Sequence, residues 1–261
     1  MRILQSPNFY ERRHPFSSLQ SLNIGVSLPP PRDLQNNLSF GIPNVDDSFP
    51  GLNLGDFAVL HGHPSCLTLS LMLCVRSQLP KEKGGLDSSV LFLDGGNSFD
   101  PYTVTSISRE YGLDPKSVLE KIFISRAFTA YQLTSLIFDK LSDALNKYNS
   151  KVVVISNIAR LFYDSDVPKT EEQDLFNKLT LFLSNLASKT QTIILATSLS
   201  QPYSSRSIFL QSALLGRASA VMRIKEAKDG LKFMLEKHPT TKPLTADFAS
   251  SELTLENFMA E

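Results

Sequence analysis

Residues 56–78 read DFAVLHGHPSCLTLSLMLCVRSQ. Asp56 to His61 is a short apolar run. The loop His61-Gly62-His63-Pro64-Ser65-Cys66-Leu67-Thr68 follows it, and Thr68 to Gln78 has the continuous apolar character of a buried helix. A strand that passes through a loop into a helix sets that loop at the strand's carboxyl end, where open α/β sheets hold their ligands. A helix start also offers backbone N–H groups and a partial positive charge, which suit an anion.

The same alternation continues outward. Ser89 to Asp94 (SVLFLD) is an apolar strand, as a parallel strand covered on both faces should be, and Lys121 to Ser125 (KIFIS), Lys151 to Ile155 (KVVVI, the most β-branched) and Thr192 to Thr197 (TIILAT) read as further strands. Between them, helices are expected over Pro101 to Tyr111, from Asp114-Pro115, over Ala130 to Tyr148 and over Glu171 to Ser188. Leu133, Leu136, Ile137, Leu141 and Leu145 form the stripe of the third of these. Ala218 to Lys225 and Gly230 to His238 flank Asp229-Gly230, a hairpin turn signal. Strands alternating with helices predict an α/β fold with a mostly parallel sheet, right-handed crossovers, flanking helices and a C-terminal β-hairpin.

Residues 1–37, with Pro7, Pro15 and Pro29-Pro30-Pro31, read as a Pro-rich extension, residues 38–240 as the core domain and residues 241–261 as a tail. The 26 basic and 26 acidic residues cancel, which argues against coating nucleic acid by bulk charge but leaves local patches open. Two Cys in 261 residues cannot staple a secreted scaffold, so a cytoplasmic setting is expected. No apolar stretch is long enough for a membrane span, and the N-terminus has no secretory core.

A phosphate loop needs Gly for close backbone approach, a Lys for the β- and γ-phosphates and a Ser or Thr for Mg²⁺. Here Gly62, Ser65 and Thr68 remain, Leu67 stands at the Lys position and Cys66 at a flanking Gly position.

The segments FGIPNVD (40–46), PGLNLGD (50–56), LFLDGGNSFDP (91–101), IFISRAF (122–128) and KVVVISNIARLFY (151–163) follow in an order that resembles the RecA-like recombinase superfamily, with the closer likeness to archaeal RadA-type recombinases and their paralogues. The likeness covers about residues 38–239. It implies a RecA-like P-loop NTPase core. It also implies that Gly96 stands at the catalytic Glu, Ser156 at the Walker B Asp, and Ser198-Leu199-Ser200 at a polar sensor. ATP hydrolysis depends on groups that neutralise the transferring phosphoryl and position the water. Their joint absence predicts no catalytic residues and no cofactor. A vestigial nucleotide site of Gly62, Ser65, Cys66, Thr68 and Asp94 remains as the place where ATP and Mg²⁺ would sit.

His61, His63 and Cys66 have the spacing of metal ligands, but Cys74 lies about 12 Å further along the helix and no fourth ligand is evident, so no metal is expected. Asp94 is either a residual Mg²⁺ carboxylate or a strand-end acceptor for the following turn. Arg126 meets a phosphate or bridges to Asp94 or Asp100. The family's two DNA-binding loops correspond to about 162–170 and 198–216. The second has no acids and offers, with its flank, Arg206 and Arg217 as candidate nucleic-acid contacts. Arg12-Arg13-His14 is a further basic cluster.

The reading that results is a non-catalytic RecA/RadA-like paralogue, an accessory factor in DNA recombination or repair. It would bind a recombinase-like protein, a copy of itself or single-stranded DNA, and no membrane. Alternatives are an atypical or slow DNA-dependent ATPase and a regulatory module of the KaiC type.

Overall fold

The computed structural model describes residues 37–163, 169–228 and 230–249. The Pro run, Arg12-Arg13-His14, Asp164, Asp166 and Asp229 lie outside the described residues.

Eight strands form one sheet: β1 (Phe57–Gly62), β2 (Val90–Asp94), β3 (Ile122–Arg126), β4 (Val152–Ser156), β5 (Ile193–Leu199), β6 (Ala220–Ala227), β7 (Gly230–Lys237) and β8 (Leu244–Phe248), in the order β8-β7-β6-β1-β5-β4-β2-β3. From β6 to β3 every neighbouring pair is parallel, while β6, β7 and β8 run antiparallel to one another. The helices are α1 (Ser65–Arg76), α2 (Pro101–Glu110), α3 (Pro115–Glu120), α4 (Ala130–Ser135), α5 (Leu141–Tyr148), α6 (Lys169–Thr190) and α7 (Ser205–Arg217). This is the α/β architecture expected, with a mostly parallel sheet between helices.

Strand alternation divides the core in two. One face of the sheet, with Leu60, Phe92 and Phe233, packs under α1, α2 and α3. The other, with Phe57, Val59 and Ile155, packs under α4 to α7. Ahead of β1, Asn37–Leu38 pairs with Leu52–Asn53. The Asp46 carboxylate accepts from the N–H groups of Phe40 and Gly41 at 2.8 and 2.7 Å and so folds the entry segment back.

Several expectations change. α1 begins at Ser65, not Thr68, because Pro64 already has helical torsions (φ −52, ψ −28) and the His63 ring accepts the Ser65 N–H. The loop expected over 198–216 is mostly helix: Ser204 and Ser207 form a capping box that starts α7. Part of the stretch assigned to a C-terminal tail is the edge strand β8. The long helix over 130–148 holds a π-helical stretch, Leu136–Lys140. Its buried stripe, Leu133, Ile137, Leu141 and Leu145, recurs every four residues. That spacing drifts by about 40° per step in an α-helix, and the wider π turn takes up the drift.

Candidate functional site

The parallel strands all end at one rim. There Asp94 closes β2, with Ser156 of β4 and Arg126 of β3 as its register partners on either side. Asp94 has no exposed surface. Its carboxylate accepts from the Ser156 hydroxyl at 2.8 Å, the Ser98 N–H at 2.9 Å and the Phe99 N–H at 3.3 Å, and it pairs with the Arg126 guanidinium at 3.2 Å. Burial alone would raise its pKa. The bonds from Ser98, Ser156 and Phe99, with the Arg126 charge, outweigh that and hold it below the usual carboxylate value. Asp94 is therefore a strand-end acceptor for the turn that follows it, and Arg126 bridges to it.

The neighbouring turn is equally committed. The Gly96 N–H donates to the Ser156 hydroxyl at 3.3 Å, and Arg160 donates to the Gly96 carbonyl at 2.7 Å. A Cβ on Gly96 would meet the Asn157 Cβ at 3.0 Å.

The loop after β1 lies on the α1 side of this rim. Gly62 has φ +112, and a Cβ there would come within 2.3 Å of the Ile224 carbonyl oxygen, so glycine is required by the close approach of β6. The His63 N–H donates to that same carbonyl at 3.0 Å, the Ser65 N–H to His63 Nδ1 at 3.2 Å, the Cys66 N–H to the His63 carbonyl at 3.0 Å and the Leu67 N–H to the Pro64 carbonyl at 2.9 Å. The Ser65 hydroxyl bonds to the His63 ring at 2.9 Å. Cys66 is buried, and burial pushes its thiol up to about 12 against the pull of the Ile224 backbone. Thr68 is half-buried in the first turn of α1.

A triphosphate with its metal needs N–H groups aimed outward, a cation and a free carboxylate. In this loop the N–H groups already have acceptors, Pro64 has none to give, and Asp94 is filled by its neighbours. The residues present do not fit that group.

His61, His63 and Cys66 diverge. His61 Nε2 lies 3.0 Å from a carboxylate oxygen of Glu236, His63 turns to Ser65, and Cys66 is buried. Among the described residues no three His, Cys, Asp or Glu side chains converge on a metal position. The two candidate nucleic-acid residues also separate. Arg206, in the first turn of α7, is ion-paired to the buried carboxylate of Glu172 and reaches the Tyr163 carbonyl at 3.4 Å. Arg217 is exposed at the helix's last residue.

The sequence reading did not find the partner of His61. Glu236 lies 175 residues away on β7, and only the strand order brings the two together. Glu172 was also missed, since it reads as one more acid in the first turn of a helix.

Comparison with known proteins gives consistent matches. The Rad51 family model matches residues 57–212, more than half of the chain. Meiotic recombination protein DMC1 of Saccharomyces cerevisiae is 28% identical over 132 residues, 49% of this chain and 39% of that protein. DNA repair and recombination protein RadA of Cenarchaeum symbiosum is 26% identical over 128 residues, 48% of this chain and 32% of that protein. The chain thus spans under two fifths of the length of either relative. Among the described residues no helix is long and apolar enough to cross a membrane.

Proposed function

The chain belongs to the Rad51 family, with its RecA-like core, and from that premise we propose that it is a non-catalytic accessory factor in DNA recombination or repair that binds a recombinase-like partner rather than splitting ATP. The observation that carries this reading is the committed loop at 62–67: the N–H groups of His63, Ser65, Cys66 and Leu67 already serve the Ile224 carbonyl of β6, the His63 ring and the loop's own carbonyls. Leu67, Gly96 and Ser156 at the motif positions agree with it.

A protein partner is favoured over single-stranded DNA. Arg206 is engaged by Glu172, whereas among the described residues β3 is the last strand of the sheet and leaves an edge. Beside that edge Ile124, Phe128 and Tyr131 are 45%, 70% and 45% exposed. A groove of about 170 Å³, lined by Phe123, Ile124, Leu136, Leu141, Ala144 and Tyr148, runs along it. An open edge with an apolar groove suits an added strand that carries apolar side chains.

The test is co-elution of the full chain with a recombinase of the RadA or DMC1 kind, alongside a turnover assay with ATP and Mg²⁺. Co-elution lost in Ile124→Asp/Phe128→Ala, with no turnover, is expected. Turnover abolished by Thr68→Ala would overturn the reading in favour of a slow ATPase.

A further inference from the structure

His238, just past the end of β7, is packed between the entry to β1 and the turn that leads into β8. Its side chain is 1% exposed. The Phe49 ring stands edge-on to it, with centroids 5.1 Å apart. Nε2 lies 3.9 Å from Asp56 Oδ2 and 3.5 Å from the Asn53 amide nitrogen. Nδ1 faces the turn: the Thr241 N–H donates to it at 3.1 Å and the Thr240 N–H at 3.4 Å, and the Thr240 hydroxyl also lies 3.4 Å away.

Two backbone N–H groups aimed at one ring nitrogen fix the tautomer. Nδ1 is a bare acceptor, so the neutral ring carries its proton on Nε2, toward Asp56. A second proton would sit on Nδ1 and point at both N–H groups. The Thr240 hydroxyl can rotate to accept it, but the Thr241 N–H has no lone pair to offer.

Asp56 is the charged group that faces the ring. Its carboxylate is already committed, since Oδ2 accepts from the Asn53 N–H at 2.8 Å and Oδ1 from the Ser219 hydroxyl at 2.8 Å. Lys237, the preceding residue, turns to the Gly216 carbonyl at 3.3 Å, and Lys242 in the turn is exposed. Burial therefore outweighs the attraction of Asp56 and holds His238 below the ordinary imidazole value.

The turn governs one end of the sheet. Among the described residues β8 pairs with β7 alone, from Leu244 opposite Leu235 to Phe248 opposite Leu231. Its other ties are the Asn44 amide donating to the Asp247 carbonyl at 2.8 Å and the exposed Lys232–Asp247 pair at 3.5 Å. A five-residue strand with a single neighbour opens at low cost, so what holds its start controls it.

We propose that His238 is a proton-operated latch on the sheet edge: neutral, it ties down Thr240 and Thr241 and keeps β8 docked; protonated, it releases the turn and lets β8 part from β7, baring a second edge at the end opposite β3. The folded chain takes up the proton less readily than the unfolded one. The latch is therefore intact above 6.5 and is lost as pH falls through the lowered value. It uses neither the loop at 62–68 nor β3, so it stands apart from the accessory reading.

The test is amide hydrogen exchange of the full chain, followed by NMR from about pH 7.5 to about pH 5 and corrected for the intrinsic rate at each pH. In the parent, protection of Thr241 and of the β8 amides bonded to β7 should fall roughly tenfold or more over that range, while the β4 amides keep theirs. His238→Asn retains an acceptor oxygen near the place of Nδ1 and does not titrate, so its protection should stay level. His238→Phe retains a ring against Phe49 and has no acceptor, so its turn should exchange fast at every pH. His61 is buried too but is present in all three chains, so its own titration drops out of the comparison. A level profile in the parent, or an equal fall in the parent and the Asn variant, would overturn the proposal. If His238→Phe fails to fold, the parent and the Asn variant decide between them.

Discussion

The guanidinium of Arg206, at the start of α7, is ion-paired to Glu172 of α6, a carboxylate with no exposed surface. The residue that reads as a candidate phosphate contact thus clamps two helices together. Arg206→Ala strands a buried charge and should cost about 2–3 kcal/mol of stability by denaturant titration. Arg217→Ala, at the exposed end of the same helix, should stay within about 0.5 kcal/mol. If single-stranded DNA binds at all, Arg217→Ala should reduce the salt dependence of binding without lowering stability.

Asp94 gives the protein an acid-sensitive joint. Its folded pKa lies below the ordinary 3.8, so its stabilisation is fully present above that value and is lost as pH falls through the lowered one. Asp94→Ala should cost about 3 kcal/mol at neutral pH by losing a buried acceptor and unpairing Arg126. The gap between variant and parent should narrow as pH falls from 3.8 through the lowered value, where the parent's carboxylate protonates. A gap that widens as the acid limit is approached would sink this account.

Restoring the motif should not restore activity. Ser156→Asp places a second carboxylate where a hydroxyl now sits 2.8 Å from an oxygen of Asp94, and two carboxylates that close cannot both ionise. Gly96→Glu must displace the Asn157 side chain, 3.0 Å from the new Cβ. The triple variant Leu67→Lys/Gly96→Glu/Ser156→Asp is expected to melt earlier than the parent and to release no phosphate above background in a malachite-green assay.

The thiols should be silent until the protein opens. Cys66 and Cys74 are both buried, and burial pushes both thiols up, Cys66 to about 12. A native sample at pH 8 should show no rapid reaction with Ellman's reagent, and unfolding in guanidinium should release both. Fast native labelling of Cys66 would mean that the loop before α1 opens readily.

What was legible in the sequence follows from how local each signal is. The strand Val152–Ser156 announces itself, because residues buried on both faces must be apolar and β-branched ones suit a strand. α7 was hidden because the stretch 198–216 is rich in Ser and Gln. Its signal was the Ser204/Ser207 cap followed by Leu210 and Leu214, which are buried. β8 was hidden by the preceding Thr-Thr-Lys-Pro, although Leu244, Ala246 and Phe248 alternate toward the core. At the site, Asp94, Arg126 and Ser156 could each be named from the sequence. That they satisfy one another is a fact of register, and register is set by strand order across the whole sheet.

The π-helical stretch Leu136–Lys140 has a consequence for length variation in this chain. A wide turn of this kind is one residue's worth of slack held inside a regular helix. Removing a single residue there would let the backbone relax to ordinary winding and leave Leu133 and Leu141 seven residues apart, about 700° or close to two full turns. The apolar stripe of α5 would then still face the sheet. The helix would survive the deletion as a helix, and so would the packing between it and β2 and β3.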